Sequence, residues 1–479
     1  MRRFFDKYKN MSVQAKAALW FVACSFLQKG ISFVTVPIFT RMMSTDEYGL
    51  YSLYLSWFQV LTIITSLNLF YGVLDNGMTK FDDDRDRYIA AMQGITISLT
   101  SICFIIYLCA RGFWNTILGL SPVLIGLMFI EMYVSPALSF WSGRQRFEYK
   151  YKRLVIITLL RSLLNPLLGI LLVYFVNPTA TSRVAAMVFV EIIICGTIMA
   201  FQFIKGKTFF DKKYWKYALS LAIPMLPHYL AGTILNQGDR IMIEKMVSTS
   251  AVAYYSVAYS IGMLVHIFTN AINSAMTPWL YQKMKSKDLS ATKEVINGLL
   301  LFVAAISFCM MIVSPELVLI FGSGKYIQGQ YVIPPVAGSV FFIFLYGVFS
   351  LPQFYYEKTK FLMVASISAA IVNIGLNYYF IKLFGFVAAG YTTLACYVLY
   401  SLGHFLVSKK VLSQELPGQT LFDIKTIGAL SLAIIITAAL INIVFPYTII
   451  RYAILAIVLA IAVIKRKTIV NYLSVIKKK

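Results

Sequence analysis

The chain has 479 residues, of which 59% are hydrophobic and only 13% charged, and its formal net charge is +23. Soluble domains are roughly 45–50% apolar and about 25% charged, so this composition excludes an ordinary soluble protein and indicates a membrane protein. We expect no nucleic acid partner for the cations, because they fall in short loops beside apolar runs, where an anionic membrane surface would attract them.

Apolar runs of about 20 residues recur from one end of the chain to the other, and each is long enough to cross about 30 Å of hydrocarbon. We expect an all-α membrane protein, because lipid requires every backbone polar group to be satisfied within its own segment. The about fourteen predicted transmembrane helices have the limits 17–39, 48–72, 88–110, 114–140, 154–176, 184–204, 217–239, 251–274, 295–313, 329–350, 361–381, 384–408, 427–445 and 447–464.

Lysine and arginine gather in alternate loops, which predicts the orientation because short cytoplasmic loops retain positive charge. If the N-terminus is inside, the cytoplasmic side holds roughly four times as many cations as the other side. The first predicted cytoplasmic cations are Arg2, Arg3, Lys7 and Lys9, and the last are Lys465, Arg466, Lys467 and Lys477 to Lys479. We predict a multi-pass protein of the cytoplasmic (inner) membrane with both termini in the cytoplasm.

An internal repeat divides the chain. The stretch "RMMSTDEYGLYSLYLS" from Arg41 aligns without a gap with "KMVSTSAVAYYSVAYS" from Lys245, a constant offset of 204 residues (245 − 41). Six spans lie in each half, so both halves run the same way through the membrane, as in transporters built from parallel repeats. The predicted domains are a six-helix bundle at 1–206, a second at 207–410, and two additional helices with a basic cytoplasmic tail at 411–479.

Two cations lie deep within predicted spans of the first half. Lys29 is near the centre of the first span and Arg161 is in the fifth, and an ionised residue at mid-span costs about 2.5–3.5 kcal/mol on insertion scales. One interpretation is a cationic cavity wall for a phosphate-bearing substrate, since arginine suits bidentate phosphate contact. The alternative is that each cation pairs with Glu131 or Glu191 and locks two helices together.

Other polar residues in the spans are candidates for ion coupling or for helix pairing. Besides Glu131 and Glu191 these are the Asp239–Arg240 pair at the end of span seven and His228 within it. A histidine in a membrane can titrate near neutrality, but it can equally serve as a hydrogen-bonded packing residue. The sequence leaves both uses open.

Neither a cofactor nor an enzymatic activity is expected. The six cysteines fall inside apolar runs without a CxxC pair, so we interpret them as packing residues, with neither disulfide nor metal. The stretch "FGSGKY" from Phe321 lacks the earlier glycine of a phosphate-binding loop and has Tyr326 where serine or threonine is required.

Several stretches in this order resemble the polysaccharide-transporter branch of the MATE-like flippase superfamily, the Wzx-type flippases of O-antigen and capsule repeat units. They are "PIFTRMMSTDEYGLYS" from Pro37, "PMLPHYL" from Pro224, "GDRIMIEKMVS" from Gly238, "YYSVAY" from Tyr254, "PELVLIFGSGKY" from Pro315 and "FGFVAAGYTTLACY" from Phe384. The resemblance covers essentially the whole chain.

The resemblance implies two six-helix bundles that move an undecaprenyl-diphosphate-linked oligosaccharide from the inner to the outer leaflet by ion-coupled alternating access. It also implies a cationic cavity, which Lys29, Arg161 and Arg41 fit. Membrane lipids and polysaccharide polymerase machinery are the expected partners. By analogy with lipid II flippases, the last two spans would form a groove for the lipid tail.

Two alternatives stay open. A MATE-like multidrug or cation exporter would have a first-half cavity dominated by acidic groups, whereas cations are at least as prominent here. A membrane glycosyltransferase or polymerase would need a sizeable outside loop, whereas the predicted outside loops have only about 3 to 15 residues. The sugar composition of the substrate and the coupling ion, proton or sodium, are not determined by the sequence.

Overall fold

A computed structural model describes residues 11–290, 292–358 and 360–464, and over these residues the chain forms helices and turns without a strand. The prediction of an all-helical membrane fold is therefore confirmed. The cations predicted at both ends of the chain, Arg2 to Lys9 and Lys465 to Lys479, lie outside the described residues.

The chain divides into two compact units, Met1–Thr233 and Ile234–Lys479. The helices of the first unit are α1 (Val13–Met42), α2 (Thr45–Ser66), α3 (Val73–Lys80), α4 (Arg85–Cys109), α5 (Arg111–Leu118), α6 (Pro122–Phe147), α7 (Tyr151–Phe175), α8 (Ala180–Glu191) and α9 (Thr197–Gly206). The unit boundary falls within the long helix α10 (Lys212–Met246).

The second unit continues with α11 (Thr249–Gly262), α12 (Val265–Lys285), α13 (Thr292–Ile312), α14 (Ser314–Gly322), α15 (Ile333–Tyr355), α16 (Lys360–Phe384), α17 (Val387–Glu415), α18 (Ile424–Leu440) and α19 (Thr448–Ile464). Helix α15 lies at the centre of this unit, and most of its side chains are buried in the apolar core. It packs against α13, α17 and α18.

Eleven helical stretches in the described part of the chain are long and apolar enough to cross a membrane. They do not include α2 or α17, which are less apolar, and α19 is represented only by a shorter apolar segment. Every predicted span nevertheless falls mainly on helices, although 114–140 and 251–274 are each divided between two of them. The protein is therefore a multi-pass membrane protein, and the number fourteen stays a prediction.

The corner between the first two helices of the repeat has the same construction in both units. Helix α1 ends at Met42 and α2 begins at Thr45, while α10 ends at Met246 and α11 begins at Thr249. The Ser44 hydroxyl accepts a hydrogen bond from the Glu47 amide at 3.2 Å, and the Ser248 hydroxyl accepts one from the Ala251 amide at 3.1 Å. Serine at this position satisfies a first-turn amide that has no partner within the helix.

The fourth predicted span begins later than expected. The apolar run from residue 114 is broken at Gly119, whose φ of 64° closes the short helix α5 in the left-handed region. Helix α6 then begins at Pro122, with the Ser121 hydroxyl accepting from the Leu124 amide at 3.3 Å. Proline suits the first helical position because its missing amide hydrogen would have no partner there.

Loops predicted to share a membrane side meet at the same end of the first unit. The Glu47 carboxylate accepts a hydrogen bond from the Ala180 amide at 2.6 Å, which joins two loops of the predicted outer side. Arg144 pairs with Asp86, which joins two loops of the predicted cytoplasmic side. The alternation of the loops thus agrees with the sequence analysis, while their assignment to cytoplasm or exterior rests on the charge asymmetry.

Candidate functional site

The first unit contains a buried acidic pair that the sequence marked only as isolated residues. Glu131 on α6 is 3% exposed, and its carboxylate accepts a hydrogen bond from the Tyr54 hydroxyl of α2 at 2.7 Å. Glu191, the last residue of α8, is fully buried. Two carboxylates in an apolar interior are costly in ionised form unless cations or hydrogen-bond donors compensate them.

Arg161 on α7 supplies that compensation for one of the two. Its Nε donates to Glu191 Oε1 at 2.6 Å, and the Cys195 thiol donates to Glu191 Oε2 at 2.9 Å. The exposure of the ion pair is asymmetric, since the Arg161 side chain is 35% exposed and that of Glu191 0%. Within the described residues the Nη atoms of Arg161 make no hydrogen bond, so the outer edge of its guanidinium remains available.

A wide turn follows Glu191. Residues Ile192–Gly196 form a π-helical segment between α8 and α9, and Cys195 lies within it. Single π turns within α-helices frequently occur at functional sites. Cys195 lies four residues after Glu191, and its thiol contacts the Glu191 carboxylate.

Lys29 is exposed on α1 and makes no hydrogen bond or ion pair with the residues that the structure describes. Its neighbour Gln28 donates to the Ser162 hydroxyl on α7 at 3.2 Å, so Lys29 and Arg161 lie on two helices in contact. Arg41, near the end of α1, is also exposed and donates to its own helix at Pro37 O at 2.9 Å. The structure thus places the candidate cations Lys29 and Arg161 on adjacent helices, with Arg41 more than two helical turns from Lys29.

The second unit contains a different buried carboxylate, on which four helices converge. Asp239 on α10 is 0% exposed. It accepts hydrogen bonds from the Tyr255 hydroxyl of α11, from the Asn377 amide of α16 at 2.6 Å and from the Thr393 hydroxyl of α17 at 3.0 Å. Hydroxyl groups can also accept, and an amide side chain also carries an oxygen, so the same groups could turn to coordinate a cation or adapt to a protonated carboxyl.

An arginine lies against the repeated tyrosine in each unit. The Arg240 guanidinium is 5.4 Å from the ring centroid of Tyr255 and 4.4 Å from that of Tyr259. In the first unit, Arg183 is 5.2 Å from the ring of Tyr51, which corresponds to Tyr255 in the repeat. The two arginines come from different helices, so the aromatic acceptor is repeated and the cation is not.

The remaining sequence candidate, His228, lies on α10 in the same helical turn as Pro227 and is partly buried. Pro224 and Pro227 both lie inside this helix, where proline removes backbone hydrogen bonds. His228 belongs to the first unit and Asp239 to the second.

Sequence reasoning missed most of the groups that contact the carboxylates. Tyr54 and Thr393 carried no signal because hydroxyl-bearing residues are common in this chain, and Cys195 was interpreted as a packing residue only. Asn377 differs, because an amide inside an apolar run is a recognisable candidate for hydrogen bonding to a neighbouring helix. No group of three or more histidine, cysteine or acidic side chains that could hold a metal ion occurs among the described residues.

Comparison with known proteins identifies a family and two relatives for parts of this chain. Residues 15–284 match the family model described as polysaccharide biosynthesis protein, and residues 224–379 match the MatE model. Protein 1 of the Lsg locus of Haemophilus influenzae is 26% identical over 226 residues, which are 43% of this chain and only 53% of that relative. A second membrane protein of that organism is 22% identical over 362 residues, which are 72% of this chain and 85% of the relative.

Solved structures with the same fold are flippases and multidrug transporters. The inward closed conformation of the lipid II flippase MurJ has a TM-score of 0.71 at 14% identity, covering 94% of this chain and 100% of that one. An inward-facing multidrug resistance MATE transporter has a TM-score of 0.56 at 15% identity and covers 86% of this chain and 97% of that one. At these identities the likeness establishes the fold alone.

The first family model spans more than half of the chain, and the fold is the one that MurJ and the MATE transporters share. The chain therefore belongs to the polysaccharide biosynthesis protein family.

Proposed function

We propose that this protein moves undecaprenyl-diphosphate-linked oligosaccharide repeat units from the inner to the outer leaflet of the cytoplasmic membrane, for synthesis of a surface polysaccharide such as O-antigen or capsule. The family membership and the flippase-like fold support this class of substrate. We further propose ion-coupled alternating access as its mechanism, with both termini in the cytoplasm and a polysaccharide polymerase acting downstream.

The proposal rests on one observation, that Arg161 is held by an ion pair and is still partly exposed. Glu191 holds its Nε at 2.6 Å, while about a third of the side chain stays exposed. A guanidinium fixed along one edge presents its other N–H groups in a constant direction, which suits two oxygens of a diphosphate. In this proposal Lys29, on the adjacent helix, adds a mobile point charge, and Arg41 adds a further cation toward the end of α1.

The buried carboxylates are the proposed ion-coupling groups. Asp239 accepts hydrogen bonds from three side chains, and Glu191 forms an ion pair with Arg161 close to Glu131. Binding of a proton or a sodium ion at either site would change the charge of the helix contacts there. A change of that kind can bias two conformations against each other, because differential affinity for the ion sets their populations.

A multidrug or cation exporter is the rival proposal, since residues 224–379 match the MatE model. An exporter of organic cations needs carboxylates that the substrate can reach. Glu131 and Glu191 are 3% and 0% exposed, whereas Lys29 is exposed and the Arg161 side chain is 35% exposed. This distribution favours an anionic substrate.

The test replaces both cations, Lys29→Ala and Arg161→Ala, and measures surface polysaccharide and the pool of lipid-linked intermediate in cells that depend on this protein. We expect polymer at the cell surface to disappear and the intermediate to accumulate. The matched control, Arg111→Ala with Lys212→Ala, removes the same charge from exposed positions at helix ends, and polymer should stay normal. Normal polymer in the Lys29 and Arg161 double variant, at equal expression, would refute the proposal.

A further inference from the structure

A small polar cavity lies at one end of the first unit, away from the cluster around Arg161. It has a volume of about 110 Å³ and is bordered by the beginnings of α4 and α7 and the ends of α6 and α9. This is the end that the charge asymmetry predicts to be cytoplasmic. A cavity of this size holds several water molecules or one phosphoryl group with part of its substituent.

The cavity has an excess of positive charge. Four cations line it against two carboxylates, namely Arg144, Lys150, Arg153 and Lys205 against Asp86 and Glu148. This leaves two positive charges in excess, since four cations less two carboxylates is two. The basic surface continues into an adjoining hollow of about 430 Å³ that shares Lys150 and Arg153.

The two carboxylates are already engaged by two of the cations. Arg144 pairs with Asp86 and with Glu148, the latter at 2.8 Å, and the Lys150 ammonium lies 2.5 Å from Glu148. Neither Arg153 nor Lys205 has a carboxylate partner within the residues that the structure describes. The Lys205 ammonium instead lies 4.6 Å from the ring centroid of Phe201. Arg153 and Lys205 thus account for the uncompensated charge.

Two buried glutamines add unused acceptors to the wall. Gln145 and Gln202 are 7% and 8% exposed, and in the described part of the chain the side-chain oxygen of each meets no donor. The Gln202 nitrogen donates to Ala137 O at 3.1 Å, which leaves its oxygen as the unsatisfied atom. An unsatisfied buried acceptor is destabilising, and a ligand that carries hydroxyl groups beside its phosphate would satisfy both amide oxygens.

The N-terminus of α7 also favours an anion in this cavity. This helix has 25 residues and begins at Tyr151, and the preceding Lys150 forms no side-chain capping hydrogen bond. First-turn amide groups and the helix dipole favour an anion at such a position.

We propose that this cavity binds the phosphoglycerol headgroup of an anionic phospholipid in the cytoplasmic leaflet. Basic pockets between transmembrane helices on the cytoplasmic side suit lipid headgroups. Arg153 and Lys205 contact the phosphate, and the unsatisfied oxygens of Gln145 and Gln202 accept from the glycerol hydroxyls. The site rests on the predicted orientation and is independent of the proposed transport, because it contains none of the residues to which transport is assigned.

The test measures lipid binding to the full chain in detergent by native mass spectrometry, with phosphatidylglycerol compared with phosphatidylcholine. The wild-type protein should bind phosphatidylglycerol preferentially, and Arg153→Gln with Lys205→Gln should weaken that binding about 30-fold, the effect expected for two cations near a lipid phosphate. Soluble glycerol phosphate is the second ligand. If it competes, the headgroup binds by itself, and if it does not, the acyl chains are also required; either result supports the site.

The matched control is Lys212→Gln with Lys216→Gln, which removes two exposed cations from the same side of the same unit and should leave lipid binding unchanged. Arg153→Lys retains the charge without the guanidinium fork and should cause a smaller loss than Arg153→Gln. Unfolding temperatures of all variants show whether they fold. Equal affinity for both phospholipids, or undiminished binding by a folded Arg153 and Lys205 double variant, would overturn the proposal, whatever the outcome of the polysaccharide assay.

Discussion

The ion pair between Arg161 and Glu191 should respond unequally to removal of its two partners. Arg161→Gln leaves the fully buried Glu191 carboxylate without a cation, and breaking a buried pair in this way costs about 3 kcal/mol or more. Glu191→Gln leaves a guanidinium that is 35% exposed, so water compensates it in part and we expect a cost of only about 1 kcal/mol. The double variant buries two neutral amides and should recover about 2 kcal/mol relative to Arg161→Gln alone.

The assay is denaturant unfolding of the purified protein in detergent, with the four proteins of the cycle measured side by side. Lys152→Gln is the control, since it removes an exposed cation near the beginning of the same helix and should cost less than about 0.5 kcal/mol. Equal costs for the two single variants, or costs that simply add in the double variant, would contradict this account of the pair.

The same three variants separate the two uses that the sequence left open for Arg161. If the pair only joins α7 to α8, the double variant should regain surface polysaccharide along with stability. If Arg161 also binds the diphosphate, the double variant should regain stability and remain without polymer. We expect the second result.

Three further predictions concern other buried contacts. Asp239→Asn should abolish surface polysaccharide in a protein that still folds, with a stability loss of about 1–3 kcal/mol measured by denaturant unfolding, because its donors lose a charged acceptor. Tyr54→Phe should cost about 1–3 kcal/mol in the same measurement, because it removes the donor 2.7 Å from the buried Glu131. Arg451→Lys should lower the free energy of unfolding by about 1–2 kcal/mol, since it breaks a bidentate contact in which both Nη atoms lie 2.8 Å from the Glu316 carboxylate oxygens.

The contact with Arg451 also predicts a pH dependence. Burial acts to raise the pKa of Glu316, but the hydrogen bond from Arg451, together with its backbone and Tyr452 contacts, outweighs burial and lowers that pKa below its ordinary value of 4.5. A carboxyl with a lowered pKa in the folded state stabilises the protein at pH values above its ordinary pKa, and this contribution is lost as the pH falls through the folded-state pKa. Unfolding temperatures measured from pH 7 to pH 3 should therefore fall less steeply for Arg451→Lys than for the wild type, and parallel curves would contradict the assignment.

The sequence was sufficient to predict the helices, because a lipid bilayer allows few backbone structures. An apolar run of about 20 residues has to be helical in lipid, so the predicted spans fall mainly on helices. The limits were less certain where local chemistry intervenes. The helix break at Gly119 depends on a residue with left-handed backbone conformation inside an apolar stretch. A hydropathy pattern does not reveal such a break.

The candidate site was predictable as a set of charges and not as a set of contacts. Lys29, Arg161 and Glu191 were conspicuous because ionised groups are rare in spans. The pairing of Arg161 with Glu191 depends on which helices touch and on how α8 turns after Glu191. A single sequence does not encode this in any local pattern. Arg183 and Arg451 lie near the ends of predicted spans, yet they are 6% and 3% exposed. Contacts with rings and carboxylates distant in the chain allow their burial.

The π segment at Ile192–Gly196 has a consequence for how the sixth span can change during evolution. Each residue of an α-helix advances the side-chain direction by about 100°, so one residue gained or lost in this segment would rotate all of α9 relative to Glu191 while leaving the loops at both ends in place. The segment therefore determines which face of α9 is directed toward the rest of its unit, and that face can be altered without moving the carboxylate that holds Arg161.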